Sequence, residues 1–535
     1  MEETVAAKFR TWVMTQYWLG LIPGLLILIY RDFIPKYLAN DATRLVSLRL
    51  FYDPSFISHD WLLLAHYDED RLTILFRAIF APLWFLTKDG IVIALIARAC
   101  VWIFLLYVIV RLAKALQLPL FALAIGFFYW VDQGQSLGAG EWIFGDAEGK
   151  CLAYGCLFLA IEMLLRNRPR WAAVLCGLAF WFHVPVALWT VLAFYAALLI
   201  AERKNFLKGF VIPALITVAV CLPMALIALR YMEVSAPAPA GISIDWLIVM
   251  FRNPHHMDPH HFHGWRELVE LVVCATLATL SFCVSLGDKK RTFLSLFLFM
   301  LLGEFACGVL AREANFLGLL KTYPFRAADV LVFFFACLTL PSLIANLISR
   351  VSKPRFAQLQ PHGARVTAGA VACALLILPT ISIGLMKSDK FFVHQFVTSW
   401  VAFANHQQTS YSEMTEWIRL NTPKDTVIIA PPWLNDFTLE SERATVVNFG
   451  RDPHNGLIVE WYQRYCAMNG GPYHTFGTDT ETEVQRHYDF LDAAQVQDIH
   501  KRYGGQFYFT KIPRSEPNLQ LVHANANYYL YAIKD

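Results

Sequence analysis

Charge is scarce in this chain. Of 535 residues only 16% are Asp, Glu, Lys or Arg, against 57% hydrophobic, whereas a soluble domain carries about 25% charged residues. That shortage excludes a large soluble enzyme and indicates a polytopic membrane protein with a smaller polar part. A formal net charge of +3 is too small to suggest a nucleic-acid partner. The eleven cysteines contain no CxxC pair of zinc-site spacing. Only Cys466 falls in the polar C-terminal part, so that part closes no internal disulfide; the others read as small hydrophobes of packed helices. A Gly-rich phosphate loop, a GxSxG elbow, internal repeats and low-complexity tracts are also missing. The opening MEETVAAKFR leads into no short apolar core with a small-residue cleavage site, so the first helix is expected to be retained.

What is present is a series of apolar runs near the length of about 20 residues that a span needs. The first, 11–30, follows Lys8 and Arg10, which places the N-terminus in the cytoplasm. Others cover 91–110, 118–131, 151–165, 171–183, 185–201, 211–231, 268–286, 293–310, 330–348 and 366–386. The run 73–86 is short and holds Arg77 and Pro82, so an interfacial or re-entrant helix is expected there. Counting it as a span would put the clusters Arg166-Arg168-Arg170, Arg203-Lys204-Lys208 and Lys289-Lys290-Arg291 outside. Positive charge belongs on the cytoplasmic side, which gives a membrane domain of about eleven spans over 1–390. Its outer loops are 31–71, 132–150, 232–266 and 311–328, and an extracytoplasmic α/β domain follows over 391–535.

In that domain Ser410 and Glu413 form a candidate capping box for a helix carrying Met414, Trp417 and Ile418 on one face. Strands are expected at Val427–Ala430, Ala444–Phe449 and Phe507–Thr510, a helix at Leu457–Met468, and a hairpin from Leu519–Ala524 and Tyr528–Ile533. Trp433, Trp461 and Tyr462 are expected in its core.

Candidate chemistry lies on the outer loops. The first is long and acidic, and Asp41 and Asp60 are its candidates for catalysis; Asp60 precedes an apolar run and fits an N-cap equally well. Asp53-Pro54 and Asp68-Glu69-Asp70 read as turns. In GEWIFGDAEGKCLAY, Glu148 and Lys150 stand where a loop enters a span, an expensive place for an ionisable pair unless it is used or paired; snorkelling also accounts for Lys150. His183, in FWFHVPVALW, is either a satisfied buried histidine or a site group. FRNPHHMDPHHFH is the most unusual composition in the chain. His255, His256, Asp258 and His260 are candidate metal ligands, although the spacing matches no closed zinc motif; alternatively His255 and His256 line a substrate groove. In KTYPFRAAD, Tyr323 and Arg326 are placed to grip a phosphate just before a span.

FGDAEGKCLAY, GLAFWFHVPVALW, FRNPHH and YSEMTEWIRLNTPKDTVIIAPPW are similar to segments of a group of bacterial membrane proteins at the edge of the GT-C superfamily of integral membrane glycosyltransferases. The whole architecture resembles that superfamily, with its long acidic first outer loop, many spans and C-terminal extracytoplasmic domain. The resemblance implies transfer of a sugar from a polyprenyl-phosphate donor to a glycan, lipid or protein acceptor on the outer face of a bacterial inner membrane. It implies that Asp41 or Asp60 is the general base or metal-orienting carboxylate, that Arg326 or Lys150 holds the phosphate, and that a divalent metal, Mg or Mn, is a candidate cofactor. The closely spaced acidic pair of many members is absent from the first loop. Two other classes remain open at this stage: a transporter or flippase of lipid-linked saccharide, with Glu162, Glu270 and Glu304 as its acidic groups, and a non-catalytic assembly protein.

Overall fold

The computed structural model describes residues 16–38, 40–65, 69–232, 242–351 and 394–534. Six helices among them are long and apolar enough to cross a membrane: Gly90–Ala115, Val184–Ala201, Val211–Met232, Gly264–Ser285, Asp288–Glu313 and Arg326–Ile348. The expected runs at 118–131, 151–165 and 171–183 form shorter helices, Leu120–Asp132, Gly149–Leu165 and Pro169–Phe182, of 13, 17 and 14 residues. At 1.5 Å per residue these reach roughly 20–25 Å, less than a hydrocarbon core of about 30 Å. The run 366–386 and the expected domain boundary at 390/391 lie outside the described residues.

In chain order the helices of the apolar part are α1 (Ile22–Asp32), α2 (Asp41–Tyr52), α3 (Ile74–Phe80), α4 (Gly90–Ala115), α5 (Leu120–Asp132), α6 (Gly149–Leu165), α7 (Pro169–Phe182), α8 (Val184–Ala201), α9 (Val211–Met232), α10 (Gly264–Ser285), α11 (Asp288–Glu313) and α12 (Arg326–Val351). Short turns of helix are left unlabelled. Local chemistry sets several starts. The Asp89 carboxylate accepts from the free N–H groups of Ile91 (2.8 Å) and Val92 (3.2 Å) and caps α4. Pro169 and Pro185 lie in first turns, where a missing N–H costs nothing. α5 packs between α1 and α12, and α6 against α4 and α7. A Cβ on Gly126 would collide with the Cys337 carbonyl, so glycine permits the close approach of α5 to α12. The run 73–86 breaks at Ala81-Pro82 into α3 and a turn at Leu83–Leu86, and α3 packs on α2 and α7.

The second loop, 133–148, is not a surface loop. It folds inward, and side chains satisfy its backbone. The Gln135 amide oxygen accepts from Ile143 N (2.9 Å) and Phe144 N (2.7 Å), and its NH2 donates to Phe144 O (2.7 Å). Asp329, one turn into α12, accepts from Leu137 N (2.6 Å) and Ala139 N (3.1 Å). Trp102 Nε1 donates to Gly145 O (3.0 Å).

The C-terminal part is a five-stranded sheet in the order β2-β1-β3-β5-β4, flanked by helices. β1 (Val427–Ile429) pairs in parallel with β2 (Ala444–Thr445) and β3 (Phe507–Thr510); β5 (Tyr529–Ile533) pairs antiparallel with β3 and β4 (Leu519–Ala524). The expected hairpin and helix are therefore present, the helix as Ile458–Met468. Two expectations need correction. The capping box belongs to Thr409 and Ser412, not Ser410 and Glu413: Ser412 N donates to Thr409 Oγ1 (3.1 Å) and Thr409 N to Ser412 Oγ (2.9 Å). The strand at Ala444–Phe449 ends at Thr445, and Phe449 N turns away to Pro432 O (2.8 Å). Trp461 is fully buried and donates to Asn448 O (3.0 Å), a core role.

This part docks on the loops of the apolar part. Tyr37 OH donates to Glu440 (2.5 Å), and Arg49 pairs with Glu442 (2.9 Å), Arg451 with Asp60 (2.7 Å) and Arg252 with Asp452 (3.0 Å). Gly477 N donates to Phe251 O (2.6 Å).

Candidate functional site

The inward-folded loop brings Glu141 to the start of α12 and the start of α6. Glu141 is 0% exposed. One carboxylate oxygen lies 3.5 Å from Lys150 Nζ and the other 3.1 Å from Arg326 Nε. Neither oxygen has a hydrogen bond of good geometry, and neither does Arg326 Nε. Buried polar atoms are nearly always hydrogen-bonded, so a buried carboxylate held by two cations without a hydrogen bond of good geometry is uncommon. Glu141 is one of the acidic groups of the second outer loop and stands in GEWIFGDAEGKCLAY, but the sequence assigns it no role of its own. Its partners lie nine and 185 residues away, and only the fold joins them.

Lys150 is shared. Its Nζ is also 3.5 Å from Glu148 and sits 3.7 Å from the centre of the Trp142 ring, a cation–π contact. Glu148 accepts from Asn40 Nδ2 (2.6 Å) and lies 3.9 Å from Arg44. Burial works to raise the Glu148 pKa, but the Lys150 and Arg44 charges outweigh it and hold the carboxyl at about 2. Asp146, also buried, goes the other way. Burial first, then the charges of Glu148 and Asp41, push its pKa well above the ordinary carboxylate value. The two neighbouring carboxyls are thus shifted in opposite directions.

Arg326 meets a second donor. The guanidinium lies 3.9 Å over the Tyr323 ring, and its Nη1 is 3.5 Å from His183 Nε2. His183 caps α8, its Nδ1 accepting from Val186 N (3.2 Å). Burial, then the Arg326 and Lys150 charges, lowers its pKa well below the usual value and keeps the ring neutral. A neutral ring accepting at Nδ1 carries its proton at Nε2. Two donors therefore face one another, an arrangement that an acceptor oxygen would satisfy. A Cβ on Gly149 would collide with the Phe182 carbonyl, so glycine lets the start of α6 abut this turn. Tyr154 OH donates to Arg326 O (3.1 Å) and fixes the first turn of α12.

The sequence candidates distribute as follows. Glu148, Lys150, Tyr323 and Arg326 belong to this cluster. His256 lies beside it; its Nδ1 donates to Ala139 O (2.6 Å), and its ring is 6.4 Å from that of Tyr323. The His255 ring lies 4.1 Å from that of His256, tilted by 45°. Burial, then the Arg252 and Arg326 charges, lowers the His255 pKa to about 3, and burial with the Arg326 charge lowers that of His256 well below the usual value. Asp41 is near Glu148 but committed: it pairs with Arg98 (2.5 Å) and accepts from Leu38 N (2.8 Å). Asp60 is further off. One oxygen caps a turn at Leu62 N (3.1 Å) and the other holds Arg451 (2.7 Å), so it ties the two parts of the chain together.

The proposed metal ligands do not converge. His256 is bonded to Ala139, Asp258 pairs with Arg312 (2.8 Å) and His260 with Glu313 (3.0 Å). Among the described residues no three His, Cys, Asp or Glu side chains stand so as to hold a metal ion.

Residues 409–468 match a family described as a domain of unknown function, DUF6798. No curated protein matches the chain. Two solved structures of ArnT from Cupriavidus metallidurans are similar to it, one bound to undecaprenyl phosphate and one in the apo state. Identity is 10% and 11%, 98% of each chain is covered, and the TM-score is 0.41 for both. A TM-score below 0.5 does not establish a common fold, so the side chains themselves have to carry the function.

Proposed function

We propose that the chain is a membrane glycosyltransferase that moves a sugar from a polyprenyl-phosphate carrier to an acceptor glycan, lipid or protein. The observation that carries the proposal is Glu141, a buried carboxylate set between Lys150 and Arg326 with no hydrogen bond to hold it. The reaction needs two things at one place: cations for a phosphate whose negative charge grows as it leaves, and a carboxylate for the acceptor proton. Arg326 offers a planar guanidinium suited to two phosphate oxygens, Lys150 a compact charge, and His183 a third donor. The acceptor hydroxyl gives its proton to Glu141 as its oxygen bonds to the anomeric carbon. The bond from that carbon to the phosphate oxygen breaks, and the electron pair leaves with polyprenyl phosphate, whose added charge faces Lys150 and Arg326.

Glu141 is preferred to Asp41 and Asp60, the expected bases, because those two already accept hydrogen bonds, Asp41 from Arg98 and Leu38 N and Asp60 from Arg451 and Leu62 N, whereas Glu141 accepts none. The distribution of Lys and Arg supports placing the site on the extracytoplasmic face of a bacterial inner membrane, with the C-terminal part over it. A transport role has less support: Glu162 is clamped by Arg111 (3.1 Å) and Arg166, and Glu270 pairs with Arg266 (2.9 Å).

The test is transfer. Purified protein in lipid nanodiscs is offered a panel of radiolabelled polyprenyl-phosphate sugars with extracted envelope acceptors. Label is expected to move from the lipid to an acceptor fraction for at least one sugar; no transfer and no donor binding across the panel would sink the proposal.

A further inference from the structure

One segment of the C-terminal part reaches the cluster. After β2 the chain leaves the sheet and runs over the loops as Asn448–His454. Arg252, from the third loop, anchors it: the guanidinium pairs with Asp452 (3.0 Å), donates to Phe449 O (3.1 Å) and lies 3.8 Å over the Phe449 ring. At its end His454 N donates to Tyr231 OH (2.8 Å), and His454 Nε2 hydrogen-bonds the Tyr323 hydroxyl at 2.8 Å. Tyr323 is the residue whose ring lies under the Arg326 guanidinium. Its backbone has φ +59°, a left-handed conformation that a bulky side chain rarely adopts and that persists only where surrounding contacts impose it.

We infer that His454 is a positioning residue: through the Tyr323 hydroxyl it fixes the aromatic floor on which Arg326 is held for an anionic headgroup. The inference rests on the proposed function and adds what the C-terminal part does for it. The contact is half-buried, it joins two parts of the chain 131 residues apart in sequence, and it acts on a residue in a strained conformation. A spacer or cap would need none of these features. The role is one of positioning, because His454 hydrogen-bonds the Tyr323 hydroxyl and the Tyr323 ring carries the Arg326 guanidinium. An ordered guanidinium loses less freedom when the phosphate arrives, so the expected effect is on affinity.

The experiment is equilibrium binding of radiolabelled polyprenyl phosphate to the full-length protein in nanodiscs. The variants are Tyr323→Phe, His454→Phe, His454→Gln and the double variant Tyr323→Phe/His454→Phe, each with its melting temperature. Tyr323→Phe removes one oxygen and keeps the ring. It is expected to weaken binding about 3- to 10-fold, the worth of one net hydrogen bond. His454→Phe should match it and the double variant should lose nothing more. His454→Gln, whose amide can still reach the hydroxyl, should recover most of the affinity. Losses that multiply in the double variant, or unchanged affinity in Tyr323→Phe, overturn the inference and leave the proposed function standing. Absence of binding by the wild type overturns both.

Discussion

Glu141→Gln is expected to cut sugar transfer by about 10²- to 10⁴-fold, the usual worth of a positioned general base, while donor binding stays within a few-fold of the wild type. The amide keeps the shape of the carboxylate and takes no proton. It also removes the negative charge between Lys150 and Arg326, so a phosphate has no carboxylate to displace and donor affinity should hold or rise. Single-turnover transfer and equilibrium binding, measured on the same nanodisc preparation, separate the two. Equal losses in binding and turnover would assign Glu141 to the architecture of the cluster and move the proton to another group. Glu148→Gln is the control: with Lys150, Arg44 and Asn40 as partners it is held as an ion, and its loss should appear mainly as weaker Lys150 placement.

The second large effect is on stability. Arg98 is 0% exposed, in the third turn of α4, an apolar helix that also holds Ala94 and Trp102 in the core. Its guanidinium donates to Asp32 O (2.5 Å), Ile34 O (3.2 Å) and the Asp41 carboxylate (2.5 Å). Arg98→Met leaves Asp41 as a buried carboxylate without its cation and the Asp32 and Ile34 carbonyls without this donor. The expected cost is about 3–5 kcal/mol, the usual result of deleting one partner of a buried pair. It is read as a lower thermal midpoint in detergent with retained helical signal. Adding Asp41→Asn should restore part of the loss because the orphaned charge goes. A midpoint in Arg98→Met equal to that of the wild type would show that Asp41 is not held by this arginine.

Much of this was legible in the sequence, and the limits have physical causes. Lys150 and Arg326 stood out because ionisable groups at the ends of apolar runs are costly unless used. Their roles could be named from residue type alone. Glu141 lacked a local sign. It lies in GEWIFGDAEGKCLAY beside Glu148 and Lys150, but nothing in the sequence sets it apart from the other acidic groups of that loop, and what buries it is the satisfaction of the loop by Gln135 and Asp329. Those contacts span eight to 192 residues. Asp41 was found as a carboxylate, but its partner sits in the middle of an apolar run, 57 residues on, where a sequence gives no reason to look for one. The five histidines of 255–263 suggested a metal by composition. Pro254 and Pro259 turn the chain so that the side chains leave in different directions, towards Ala139, Arg312 and Glu313. The short sheet was readable strand by strand, apart from β2. There Asn448, Gly450 and Pro453 follow the apolar run and break it, and the freed segment reaches the loops instead.

The central claim is that Lys150 and Arg326 receive an anionic polyprenyl headgroup, and saturable binding tests it most directly. Radiolabelled polyprenyl phosphate is titrated into nanodiscs carrying the wild type, Arg326→Gln or Lys150→Met, with uncharged polyprenol as competitor. The account predicts saturable binding by the wild type that polyprenol does not displace. Loss should be about 10-fold or more in Arg326→Gln, since a charge-assisted hydrogen bond is worth roughly 1.5–3 kcal/mol, and smaller in Lys150→Met. Wild-type binding that Arg326→Gln leaves unchanged, or that polyprenol displaces as well as the phosphate does, would contradict it.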